Sequence, residues 1–271
     1  MLDSSTKATE LLPARHDRSA MLQSFLVRLG WSVASSAIFV AVWWLAAAIF
    51  DSRYLPAPLE VLNCLIHDLL NGEMPYHIGV TLARVLASFV TAMAIGSAIG
   101  IAMGSMRRVD RLFDGWLILF LNLPALVSII LCYVWFGLNE VAAVTAVALN
   151  KIPNAAVTLR EGARALDRDY LEMAQVYGFN RWKTLRHVIL PQLAPYFAAS
   201  ARSGLALVWK IVLVVELMGR SSGVGFQLYT YFQVFDVANI LAYALSFIII
   251  VQGIELLVLQ PWERAVSRWR K

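Results

Sequence analysis

The segment Tyr170–Pro191, YLEMAQVYGFNRWKTLRHVILP, holds the densest set of residues whose types and spacing could do chemical work. Leu171, Ala174 and Tyr177 recur at three-residue spacing, which predicts a short amphipathic helix. Gly178 breaks it, because glycine takes turn conformations that a side chain would strain. A second amphipathic piece follows with Trp182, Leu185 and Val188–Leu190, and Pro191 is expected to end it. Two short helices hinged at a glycine and half apolar need a partner for that apolar face. On the aqueous side of a membrane such a patch marks an interaction site. Glu172 reads as the contact for a basic residue on that partner, or as a solvated helix charge.

Charges inside apolar runs form the second set. Lys151 and Lys210 each fall within such a run, and a lysine at mid-membrane costs about 2.5–3.5 kcal/mol, so it faces protein or water and usually has a task. Two buried cations suit an anionic solute; the alternative is pairing with Glu140, Glu216 or backbone carbonyls. Asn150 and Pro153 frame Lys151, and Pro153 frees a carbonyl and is expected to kink its helix. Asn122, Ser128, Trp209 and Glu216 are further candidates for lining a path, or packing residues. His16, His67, His77 and His187 lack ligand spacing, so no metal site is expected. Cys64 and Cys132 are too few and too far apart for a disulfide framework or a metal pair. Gly178-x4-Lys183-Thr184 approaches a phosphate loop but is one residue short, has Trp182 where a glycine should precede the lysine, and follows no strand. With no catalytic constellation either, the chain is not expected to be an enzyme or to hydrolyse ATP.

The elements that position these residues are membrane spans. Of 271 residues 59% are apolar and 15% charged, with mean hydropathy +0.65. Soluble domains run nearer half apolar and a quarter charged, so lipid is the main solvent. Six stretches reach span length: Trp31–Phe50, Gly79–Met103, Phe113–Phe136, Val141–Leu159, Tyr196–Met218 and Val237–Leu259. Asn122 and Pro124 interrupt the third. The longest connections are Asp51–Ile78 and Arg160–Pro195. No cleavable signal precedes Trp31, so the first span is expected to insert itself.

Loop charges set the orientation. One side collects Lys7, Arg15, Arg18, Arg28, Arg107, Arg108, Arg111, Arg160, Arg164, Arg168, Arg181, Lys183, Arg186, Arg264, Arg268, Arg270 and Lys271, and the other only Arg53 and Arg220. Both termini are expected in the cytoplasm. The basic charge is thus a topology signal, and a nucleic-acid partner is excluded. Ser88, Ala92, Gly96, Gly100 and Gly104 form a flat helix face, a packing seam within the subunit or one between subunits.

The pattern Glu172-Met173-Ala174-x3-Gly178-x9-Val188-x-Leu190-Pro191 resembles the EAA loop of permease subunits of binding-protein-dependent ABC importers. Met173 and Val188 stand where the family more often has alanine and isoleucine. Thr81-Leu82-Ala83-Arg84-Val85, Trp135-Phe136-Gly137, Trp209, Glu216-Leu217-Met218-Gly219 and Ser222-Gly223-Val224-Gly225 resemble the nitrate, sulfonate and taurine branch. That branch often has several prolines in span three, where this chain keeps Pro124 and has Ala125 and Ile130. The resemblance implies an all-α, type I importer permease fold in the bacterial inner membrane. Residues 1–30 and 261–271 would be cytoplasmic tails, 31–260 the transmembrane permease domain and 160–195 the coupling loop. It implies that Glu172, Met173, Ala174, Gly178, Phe179, Arg181, Trp182, Leu190 and Pro191 dock on a cytoplasmic ATPase that binds ATP and Mg²⁺, this chain holding no cofactor. A second permease copy, two ATPases and a periplasmic or lipid-anchored binding protein are the implied partners, and a small anion the implied solute. The competing classes are an ion-gradient-driven carrier, which would show facing ionisable relays, and an integral-membrane enzyme, which would need a catalytic set.

Overall fold

A computed structural model describes residues 18–50 and 52–262, all helix and connection, with no strand among the described residues. The chain divides into two compact units, Met1–Pro58 and Leu59–Lys271. The first holds α1, Arg18–Phe50, whose apolar window is Val33–Phe50. After α1 the chain folds back: the Trp43 indole N–H donates to the Pro56 carbonyl at 3.1 Å. The tail charges at Lys7, Arg15, Arg264, Arg268, Arg270 and Lys271 lie outside the described residues.

In the second unit α2 (Pro58–Asn71) leads through a tight turn into α3 (Met74–Ser105). Then come α4 (Arg107–Asn122), α5 (Ala125–Phe136) and α6 (Glu140–Arg164). The pair α7 (Arg168–Val176) and α8 (Arg181–Thr184) precedes α9 (Leu190–Gly219), α10 (Val224–Gln233) and α11 (Val237–Ile254). Five helices among the described residues are long and apolar enough to cross a membrane, and six if α4 and α5 form one broken span.

That break is where the third stretch was interrupted. Leu123 is extended (φ −71°, ψ 121°), as the residue before a proline prefers, and Pro124 restarts the helix, so α4 and α5 meet at 99°. The small-residue face of α3 lies inside the subunit, against α6. A Cβ at Gly100 would come within 2.4 Å of the Ala156 carbonyl oxygen, and one at Gly104 within 2.5 Å of the Ala163 Cβ. Backbones this close gain van der Waals contact that larger residues would forbid.

The two helices run in the same direction. Gly104 faces the end of α6 at Ala163, and Arg84 faces its start at Glu140. Helix α9 runs back against them, since its last turn carries Glu216 to Arg84. The bundle therefore has two ends: one with Arg84, Glu140 and Glu216, the other with the α7–α8 loop.

Candidate functional site

The α7–α8 loop is built from local signals. Asp167 caps α7 by accepting from the Asp169 N–H at 2.9 Å, and its own N–H donates to Gln192 Oε1 at 2.9 Å, tying the loop to α9. At the far end the Phe179 N–H donates to the Ala174 carbonyl at 2.9 Å and the Gly178 N–H to Gln175 at 3.0 Å. This paired closure needs a left-handed residue, and Gly178 supplies φ +63°. No other group lies within 4 Å of where its Cβ would stand, so the backbone angle rather than space demands glycine. Asn180 then caps α8, accepting from the Lys183 N–H at 2.8 Å.

The second piece does not end at Pro191. It runs through a π turn, Leu185–Ile189, into α9, and Pro191 sits in the first turn of that helix. The Leu190 N–H reaches back to the Leu185 carbonyl. The wider turn changes the register just where proline has no N–H to give, and a first-turn proline is tolerated.

Ala174 and Val188 are buried under this hinge, and Phe179 is half-buried with the Lys183 ammonium 4.2 Å from its ring centre. Glu172, Met173, Gly178, Arg181, Trp182, Leu190 and Pro191 are exposed. Val176 (85% exposed) and Tyr177 (73%) extend the apolar face beyond the residues singled out from sequence.

At the opposite end stands a buried ionic clamp. Arg84 donates from Nη1 to Glu216 Oε1 at 2.7 Å and to the Ser222 carbonyl at 2.6 Å, and from Nε and Nη2 to Glu140 at 2.8 and 2.7 Å. Glu216, wholly buried, also accepts from the Thr81 hydroxyl and the Gly225 N–H, each at 2.9 Å. Arg220 joins through Glu140, and its Nη1 donates to the Leu138 carbonyl at 2.7 Å. Gly223, at φ +110°, passes so close that a Cβ would fall 2.3 Å from the Glu216 carboxyl. One guanidinium thus holds α3, α6, α9 and the 220–225 turn together.

This overturns the pairing of Glu140 and Glu216 with the lysines: Arg84 takes both. Lys151 is buried, with Nζ 3.0 Å from the Ser200 carbonyl, and Gly204 leaves the room its stem fills. Lys210 is exposed on α9. Asn122 is exposed, donating to the Ile118 carbonyl at 2.8 Å. Ser128 and Trp209 are buried, Trp209 edge-on to Phe247. The path candidates therefore do not converge on one cavity. The clamp was missed from sequence although its signal was present: an arginine and two glutamates in or beside spans.

Long apolar helices bound at one end by an ionic clamp, with a hinged helical loop presented at the other, define a polytopic membrane protein. The chain belongs to the family described as binding-protein-dependent transport system inner membrane component, which matches residues 92–260. It is 28% identical over 246 residues to a probable ABC transporter permease protein of Brucella abortus (strain 2308), covering 91% of this chain and 98% of that one. It is 31% identical over 189 residues to the putative aliphatic sulfonates transport permease protein SsuC of Escherichia coli (strain K12), covering 69% and 72%. The fold matches inward-facing conformations of the MetNI methionine ABC transporter with TM-score 0.62 and 18% identity, over 72% of this chain and 96% of that chain. The chain is thus a multi-pass membrane permease subunit of an ABC importer, a class that works with an ATPase and a binding protein.

Proposed function

We propose that the chain moves a small anionic solute across the bacterial inner membrane as one of two identical permease subunits driven by two ATPase subunits. The hinged α7–α8 loop carries this reading. Met173, Val176, Tyr177 and Trp182 are exposed around Gly178, with Glu172 beside them, on an element that the Asp167–Gln192 bond joins to α9. A face so apolar in water is completed by a partner. ATP and Mg²⁺ belong to that partner, and this chain binds no cofactor.

The loop end is cytoplasmic, because it collects Arg107, Arg108, Arg111, Arg168, Arg181, Lys183 and Arg186, while Arg84 and Arg220 at the other end are held in ion pairs. Six crossings then return both termini to that side.

The anionic solute is supported by relatives named for aliphatic sulfonates, taurine and bicarbonate, all of which carry an anionic oxygen group. Lys210, exposed on α9, and Asn122, exposed at the α4–α5 bend, are the candidates for meeting it; Lys151, Ser128, Trp209 and Glu216 are buried.

The loop is tested with Gly178→Trp. Uptake is expected to fall at least tenfold while the protein still inserts and ATP hydrolysis no longer responds to solute-loaded binding protein. Wild-type uptake in that variant would overturn the coupling role.

A further inference from the structure

Helix α2 lies within the long connection Asp51–Ile78, and it is an amphipathic helix with three distinct faces. Successive residues turn by about 100°, so Leu59, Leu62, Ile66, Leu69 and Leu70 share one arc of about 100°. All five are exposed. The opposite arc carries Val61, which is fully buried, with Cys64 and Asp68. That arc packs on the protein. The Tyr231 hydroxyl donates to Asp68 Oδ2 at 3.4 Å, and burial followed by the carboxylates of Asp236, Glu60 and Asp68 pushes the Cys64 thiol up. Glu60, Asn63 and His67 form a polar flank between the two.

The end of α2 is tied to a membrane span. Only Gly72 and Glu73 separate Asn71 from α3, itself a span. Asp68 is level with Tyr231, whose ring lies 5.6 Å from that of Tyr243 in the outer half of α11. A helix at this level with a leucine stripe facing away from the protein continues the apolar surface that the spans already present.

We propose that α2 is an interfacial helix, whose Leu59–Leu62–Ile66–Leu69–Leu70 stripe lies in the acyl–headgroup boundary of the leaflet opposite the α7–α8 loop. Such helices sit about 5–10 Å into that boundary. The polar flank carries no Lys or Arg, so apolar burial holds the helix and anionic lipid adds nothing. The helix then fixes the outer end of α3, from which Arg84 reaches into the clamp.

The test uses the full-length chain in vesicles, with Cys64→Ala and Cys132→Ala and one new cysteine at Ile66, Leu70 or His67, each carrying an environment-sensitive fluorophore. Quenching by lipid with a nitroxide near the top of the acyl chain is compared with quenching by aqueous iodide. Labels at 66 and 70 are expected to be quenched several-fold more by the lipid nitroxide than the label at 67. The pattern should be the same in neutral vesicles and in vesicles containing phosphatidylglycerol. Two results would overturn the proposal. One is iodide quenching at 66 and 70 equal to that at 67, which leaves the stripe in water or open to a soluble partner. The other is protection from both quenchers, which means that α1 or a second copy covers the stripe.

Discussion

At the scale of the residue, Arg84 decides most. A guanidinium has five N–H donors in a planar fork, so it can serve two carboxylates and a carbonyl at once, which a lysine ammonium cannot. Arg84→Met would leave Glu216 buried without its cation, and removing one partner of a buried pair costs about 3–5 kcal/mol. The variant should unfold earlier on heating in detergent. Thr81→Val should cost less, about 1–3 kcal/mol, because it strands the Val224 N–H, now 2.8 Å from the Thr81 hydroxyl. An unchanged melting curve for both would mean that the clamp does not hold the fold. Lys210→Met should lower solute-stimulated uptake and leave assembly unchanged, whereas normal uptake would remove Lys210 from the path. The sequence shows each of these charges as an anomaly within an apolar run. It does not show who pairs with whom: Arg84 and Glu216 are 132 positions apart, and only the parallel packing of α3 on α6 brings Glu140 to the other side of the Arg84 guanidinium.

At the scale of the element, helical periodicity and apolar length made the spans legible, and Gly178 made the hinge legible. Two features were not. Pro191 was expected to stop a helix, yet a π turn immediately before it lets the chain run on, and nothing in residue type marks that turn. Helix α2 is too short for a span, so its leucine stripe passed as part of a loop until the packed face of Val61 and Asp68 showed which way it points. The small-residue face of α3 could be read as a seam, but its partner could not. With α6 as that partner, Gly100→Leu should prevent close packing and sharply reduce the folded protein recovered from membranes. Ile99→Leu, at an exposed position of the same helix, is the control. Equal recovery of Gly100→Leu and Ile99→Leu would contradict the seam.

At the scale of the whole molecule, the fold separates two tasks. One end of the bundle is locked by ion pairs that join three spans and the 220–225 turn. The other presents an apolar loop with no cover of its own. The Asp167–Gln192 bond and the continuous helical run Arg181–Gly219 join that loop to the helix that reaches the clamped end. Such a layout suits a motor outside the membrane and a gate on the far side. The solute is not legible in the sequence because the path candidates are scattered through the subunit, and in the proposed pair of permeases the path would be lined by both copies. The most direct measurement is to purify the tagged chain in mild detergent from its native host, identify what accompanies it, and assay ATP hydrolysis. The account predicts an ATPase chain in equal amount, lost in Gly178→Trp. A chain that purifies alone from intact membranes and moves solute down an ion gradient in liposomes would contradict it.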